Sequence, residues 1–282
     1  MDNRPDFIFI GPDKSGSTWI HGVLKWHPEV FVAESKELEF FDHYYDRGLD
    51  WYLSYFRGTG PECQAVGEVC HNYLFSTAAC ERIHRHFPAV RLMVCLREPV
   101  ERAFSAYLYM IRQGRITCSF EQALVAVDEL LDHGYYAHHL EPYLIRFGRD
   151  KIFPGLFDDL QADPAAFARS MFEFLGVRPL PLPDKLKGRT LPAARPRSTM
   201  AARSAKQIAL MLRTLGFPRL VTRIKSTRFV QTALYKEYDD DDRPAPDEAT
   251  VRDLKARFAP EVRRLDEWFG LDLVKRWGYE GF

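Results

Sequence analysis

The chain opens on an unbroken apolar run, Phe7-Ile8-Phe9-Ile10, that stops at Gly11-Pro12. Comparable short runs recur at Ala65–Val69, Leu92–Leu96 and Lys151–Leu156. Mostly apolar runs of this length, bounded by turn or charged residues, predict strands buried on both faces. Between them, apolar residues repeat at three- and four-residue spacing over Ser17–Trp26, Thr77–His86, Val100–Gln113, Phe120–Leu131, Tyr136–Phe147 and Pro164–Leu175. That spacing places one apolar stripe on each predicted helix. Strand alternating with helix predicts an α/β fold with a central parallel sheet flanked by helices in three layers. Further helices are expected over Thr199–Leu215 and over Val251–Phe269, where Leu254, Phe258, Val262 and Leu265 share a face. With no internal repeat, residues 1–282 are read as a single domain. Prolines and basic residues dominate Arg178–Arg197, so residues 178–246 are expected to include a flexible region that covers substrate or nucleotide.

The first predicted strand runs into Gly11-Pro12-Asp13-Lys14-Ser15-Gly16-Ser17-Thr18-Trp19, and a helix follows. A Gly/Ser turn entering a helix gathers backbone N–H groups, the positive helix end adds partial charge, and a lysine adds a full one. This is the chemistry of a phosphate cradle, with an ordinary tight turn as the alternative. It is not the nucleoside-triphosphate loop, which places Lys and Ser/Thr directly after its second glycine. Here Lys14 precedes Gly16.

A second cluster stands at the end of another strand. Leu92–Leu96 leads into Arg97-Glu98-Pro99, and Ser105 lies two helical turns further on. Ligands of open α/β sheets bind beyond the carboxyl ends of strands. A guanidinium fork and a hydroxyl there can grip one phosphate. The competing reading is a structural ion pair of Arg97 with Glu98 or Glu101.

Lys14-Ser15-Gly16-Ser17-Thr18 resembles the 5′-phosphosulfate loop of sulfotransferases that use 3′-phosphoadenosine 5′-phosphosulfate (PAPS). Leu96-Arg97-Glu98-Pro99 with Ser105-Ala106-Tyr107 resembles their 3′-phosphate motif. Lys36-Glu37-Leu38-Glu39-Phe40-Phe41, Gly48-Leu49-Asp50-Trp51-Tyr52, Gly67-Glu68-Val69-Cys70-His71-Asn72-Tyr73-Leu74, Tyr143 to Pro164, and Gly270-Leu271-Asp272-Leu273 with Trp277 are similar to the heparan-sulfate glucosaminyl sulfotransferase branch. The likeness covers most of the chain and is weakest from Leu182 to Ala245. It implies a P-loop-like fold, PAPS as sulfuryl donor, 3′,5′-adenosine bisphosphate (PAP) as product, and no metal. By that likeness Lys14, Ser15, Gly16, Ser17, Thr18 and Trp19 belong to the 5′ side of the donor, and Arg97 and Ser105 to its 3′-phosphate. Lys187 with Gly188, Arg195 and Arg197 compete for the basic contact from the covering region.

Sulfuryl transfer moves SO₃ from a phosphate oxygen to an acceptor oxygen or nitrogen, through alignment and stabilisation of charge on the departing phosphate. Lys14 is the expected stabiliser. The acceptor must also lose a proton, and a base within reach contributes about 10²–10⁴-fold. Glu37, second residue of the Lys-Glu-x-x-Phe-Phe element, is the first choice. His71, standing where the family commonly has proline, is the second. Glu39 would point away from Glu37 if the segment were extended. Val69 occupies a position where some heparan enzymes carry lysine, which favours a small-molecule acceptor over a sulfated glycan.

Composition sharpens the picture. Nearly half of the 282 residues are apolar and the formal net charge is zero, so no whole-molecule field draws in nucleic acid or another polyanion. A local basic patch (Lys185, Lys187, Arg189, Arg195 and Arg197, or Arg82 and Arg85) would have to supply any such attraction. No segment has the length of a membrane span, and the first residues lack a secretory core. Cys63, Cys70, Cys80, Cys95 and Cys118 show neither paired nor metal-type spacing, and His138-His139 lack a metal-spaced partner. The expectation is therefore a cytoplasmic enzyme, a bacterial relative of the branch, acting in secondary metabolism on a small-molecule or carbohydrate hydroxyl, with no nucleic-acid or membrane partner. The rivals are an ATP/Mg-dependent small-molecule kinase, indifferent to Arg97→Ala, and a non-catalytic nucleotide-binding module.

Overall fold

A computed structural model describes residues 4–188, 194–196, 207, 211, 235–237 and 244–282. By contacts the chain divides into two units. The first comprises Met1–Glu98, Tyr135–Thr190 and Phe258–Phe282, and the second Pro99–Gly134 and Leu191–Arg257.

The first unit holds a five-stranded sheet, β1 (Phe7–Gly11), β2 (Val30–Val32), β3 (Ala65–Val69), β4 (Arg91–Leu96) and β5 (Ile152–Leu156). Its order is β2-β3-β1-β4-β5, with every pairing parallel. The apolar runs are strands because both of their faces are covered: Phe7, Ile8, Phe9 and Ile10 have no exposed surface, and β3 is buried throughout. Side chains buried this fully contribute about 1.5–3 kcal/mol each. Helix α1 (Ser17–Trp26) lays Trp19, Ile20, Val23 and Leu24 on one face of the core, where Phe167, Met171 and Phe172 of the helix Pro164–Leu175 join them. The helices Thr77–His86 and Tyr136–Phe147 also form as expected.

Two expectations change. Val30–Val32 is a strand too short for its pattern to show, held at the sheet edge by β3. The predicted helix Phe120–Leu131, in the second unit, is two helices, Phe120–Ala126 and Glu129–Asp132, because Val127 adopts extended backbone. That unit also contains the helix Pro99–Arg112 and an antiparallel pair, Ala194–Pro196 with Tyr235–Glu237. Its Arg102 is buried and donates to the carbonyl of Leu130. The segment expected as the helix Thr199–Leu215 falls mainly outside the described residues. The last long helix runs over Glu248–Phe269.

Candidate active site

Because the strands are parallel, their carboxyl ends share one edge of the sheet. Lys14 follows β1, Glu37 follows β2, His71 follows β3 and Arg97 follows β4. The strand order reverses its sense of travel at β1, flanked by β3 and β4, which is where open α/β sheets place ligands.

The loop after β1 depends on two glycines. A Cβ on Gly11 would stand 2.5 Å from the carbonyl oxygen of His71, so only glycine lets the backbone beyond β3 pass this close. Gly16 caps α1 in left-handed conformation (φ 89°), and a Cβ there would meet Leu160 Cδ2 at 2.5 Å. Lys14 is also left-handed (φ 62°). A non-glycine residue held so costs about 1–2 kcal/mol. The N–H groups of Ser17, Thr18 and Trp19 open α1 with no carbonyl one turn earlier in the helix to bind, the arrangement by which a helix start can hold an anion. Ser15 turns its buried hydroxyl inward, donating to the Asp13 carbonyl at 3.3 Å. Trp19 sends its indole into the core and donates to the Leu186 carbonyl at 2.6 Å. These two side chains therefore brace the loop, and their backbone groups are what they offer an anion.

Arg97 comes back to this loop. Its Nη1 donates to the Lys14 carbonyl at 3.2 Å, and the guanidinium lies 4.7 Å over the Phe157 ring. Phe157 opens the short helix after β5, and the same helix supplies the Leu160 contact to Gly16. The chain's tail fastens this helix, since the Trp277 indole donates to Asp158 at 2.7 Å. The Arg97 carbonyl accepts from the Tyr136 hydroxyl at 3.0 Å. Ser105, half-buried, belongs to the second unit, on the helix that starts two residues after Arg97.

The segment after β2 is not extended. Glu37 (φ 59°) and Glu39 (φ 52°) are both left-handed, so the alternation expected to separate them does not apply. The segment is pinned at both ends. Glu37 N–H donates to the Val69 carbonyl at 2.9 Å, and Phe40 N–H donates to the Tyr73 hydroxyl at 3.0 Å. Tyr73 and Tyr52 in turn donate to buried Glu68, Tyr52 at 2.7 Å and Tyr73 at 3.3 Å. Desolvation pushes the Glu68 carboxyl up to about 8, against the lowering effect of both phenol hydrogen bonds.

The two base candidates meet. His71 Nδ1 lies 3.0 Å from Glu37 Oε1. That is ion-pair distance, short of the alignment of a full hydrogen bond, and Nδ1 itself is buried. Burial pulls the imidazole down, but the Glu37 charge and contact, with Asp13 adding, outweigh it and leave His71 raised above 6.5. Glu39 instead accepts from Asn72 Nδ2 at 3.5 Å.

Sequence reasoning offered Lys36 only as a pairing partner for Glu37 and gave it no place at the cradle. Lys36 Nζ donates to Ser17 Oγ at 3.0 Å and to Thr18 Oγ1 at 3.1 Å, and stands 3.5 Å from Glu37 Oε1. Its place beside Glu37 in the motif was the available signal. Among the other candidates, Lys187 pairs locally with Asp184 at 2.8 Å and Gly188 follows it. Arg195 lies in the strand Ala194–Pro196 of the second unit, and Arg197 lies outside the described residues. Among the described residues, no group of acidic, histidine and cysteine side chains has the form of a metal site.

A parallel sheet with a glycine-serine loop after its central strand, met by an arginine from the end of the neighbouring strand, defines an α/β protein of P-loop-like architecture. The sequence matches the Sulfotransferase domain family over residues 4–193, more than half of its length, and the chain belongs to that family. It is 28% identical over 199 residues to human bifunctional heparan sulfate N-deacetylase/N-sulfotransferase 2, covering 63% of this chain and 22% of that protein. It is 31% identical over 185 residues to mouse heparan sulfate glucosamine 3-O-sulfotransferase 6, covering 62% and 53%. The chain thus spans about half or less of the length of these curated relatives. The crystal structure of a sulfotransferase from Alicyclobacillus acidocaldarius superposes with a TM-score of 0.69 at 25% identity, over 98% of this chain and 99% of that one.

Proposed function

We propose that the enzyme transfers the sulfuryl group of PAPS to a hydroxyl of a small-molecule or carbohydrate acceptor and releases PAP. The S–O bond to the 5′-phosphate breaks, a new S–O bond forms to the acceptor oxygen, and the acceptor's proton leaves to a base. The observation that carries this reading is the Arg97 guanidinium resting 3.2 Å from the Lys14 carbonyl. It brings a candidate 3′-phosphate ligand against the 5′ cradle, as a nucleotide phosphorylated at both ends requires.

In this scheme the backbone N–H groups of residues 15–19 and the hydroxyls of Ser17 and Thr18 hold the 5′ phosphosulfate, and Lys14 stabilises charge on the departing phosphate oxygen. Arg97 takes the 3′-phosphate, and Ser105 is assigned to the same group from its sequence motif alone. Glu37 and His71 act as one proton-accepting pair, because groups 3.0 Å apart titrate together. The left-handed backbone at Glu37, and its bracing by Val69 and Tyr73, supports a fixed base.

The family match takes in residues of both units, which supports reading residues 1–282 as a single sulfotransferase domain. The relatives are named for heparan sulfate, which supports a carbohydrate acceptor. Zero net charge and the buried apolar Val69 favour a neutral small acceptor of secondary metabolism over a polyanionic chain. Free cysteines, three of them buried, favour a reducing, cytoplasmic setting. No helix among the described residues is long and apolar enough to cross a membrane.

The test is isothermal titration with PAP against ATP-Mg and AMP, followed by an acceptor screen with labelled PAPS. Selective PAP binding and a sulfated product are expected. Preference for ATP-Mg would replace this reading with a kinase, and PAP binding without any product would leave a binding module.

A further inference from the structure

Lys36 belongs to neither phosphate motif, yet its ammonium stands on the cradle. Its three N–H donors face the hydroxyls of Ser17 (3.0 Å) and Thr18 (3.1 Å) and the Glu37 carboxylate (3.5 Å). Ser17 and Thr18 are the first two residues of α1, a helix end that already carries partial positive charge. A lysine placed there is opposed by the helix, and its two shorter contacts are to neutral oxygens, with the Glu37 carboxylate the more distant partner. That arrangement is electrostatically poor for a mere brace and well suited to contact with an anion. The side chain is only 18% exposed, so it is not a solvated surface lysine that happens to fold back. The residue is also held in place, because the next one hydrogen-bonds to the end of β3.

We propose that Lys36 is a second donor-binding lysine. When a 5′-phosphosulfate or 5′-phosphate enters the cradle, the Lys36 ammonium passes from the two hydroxyls to the oxygens of that group. Ser17 and Thr18 are released to donate to the same anion. Lys14 and Lys36 then flank the reacting end of the donor from the loops after β1 and β2. This inference rests on the sulfotransferase reading above.

The experiment compares wild type, Lys36→Met and Lys36→Arg by isothermal titration with two probes, PAP and adenosine 3′-monophosphate, which keeps the 3′-phosphate and lacks the 5′ one. Loss of Lys36 is expected to weaken PAP about 10- to 100-fold, the worth of a charged hydrogen bond to phosphate. Affinity for adenosine 3′-monophosphate should stay within about twofold, and Lys36→Arg should recover most of the loss. Equal weakening of both probes would make Lys36 a structural brace, and no weakening of either would remove it from the site; each overturns the proposal. If Lys36→Met does not fold, Lys36→Gln, which can still bond both hydroxyls but carries no charge, is measured against the same pair, and wild-type affinity for PAP in that variant would equally overturn it. Failure of the wild type to prefer PAP over AMP would instead sink the donor assignment, and this inference with it.

Discussion

Glu68 offers a quantitative test of how the segment carrying the proposed base is built. Its carboxyl is fully buried beneath the Tyr52 and Tyr73 hydroxyls, and burial moves it from 4.5 to about 8. Between those two values the unfolded chain releases the proton and the folded chain keeps it. Stability contributed by this group is therefore complete below pH 4.5 and is lost as pH rises through about 8. Each pH unit in the window is worth about 1.4 kcal/mol, so the whole span is of order 4–5 kcal/mol at most. Glu68→Gln keeps an oxygen for both phenols and removes the ionisation. Urea unfolding of both proteins at pH 5, 6.5 and 8 isolates the group, since all other titrations cancel in the difference. The variant should gain on wild type by about 3 kcal/mol or more between pH 5 and 8, and could overtake it at the alkaline end. A difference constant within about 0.5 kcal/mol would show that Glu68 ionises in the folded protein as it does in the unfolded one, and the desolvation argument would fail.

Other outcomes follow from the same geometry. Arg97→Ala should cost PAP about 10- to 100-fold in affinity while leaving AMP unchanged, because the guanidinium is assigned to the 3′-phosphate; titration calorimetry reads this, and equal loss for both would refute the assignment. Glu37→Gln should lower kcat about 10²–10⁴-fold. It should also move the acidic limb of kcat/KM from above 6.5 to below it, because Glu37 is what raises His71 against burial; a pH–rate profile with an unmoved limb would uncouple the pair. Gly16→Ala should lose about 2–4 kcal/mol, from left-handed backbone plus overlap with Leu160, and lower Tm by about 5–10 °C in a thermal melt. An unchanged Tm would mean that the loop relaxes freely.

Much of this architecture was readable as pattern. Phe7–Ile10, Ala65–Val69 and Leu92–Leu96 announce themselves because a strand buried on both faces must be apolar at every step. The glycine-serine turn and the Arg97 strand end are local chemistry, legible without knowing their distance. What pattern could not give was lateral order. Val30–Val32 is three residues long, and without it nothing places the Lys36-Glu37 segment beside the start of α1 or next to His71. The Glu37–Glu39 backbone was not legible for a related reason. Left-handed conformation at two glutamates is sustained by the Val69 carbonyl and the Tyr73 hydroxyl, partners more than 30 positions away. Trp19 and Ser15 were read by motif membership, whereas their side chains answer to the core and to the loop itself.

The four candidate site residues arrive on four separate connections of one sheet, and this separates two kinds of evolutionary freedom. Lys14 and Arg97, just after the central strand and its neighbour, are tied to each other and Arg97 to Phe157, so the part proposed to read the donor changes only as a block. Glu37 and His71 ride on the connections after β2 and β3, on the other side of β1. On the proposed roles, a descendant of this chain can trade one acceptor for another there without relearning how to hold the nucleotide.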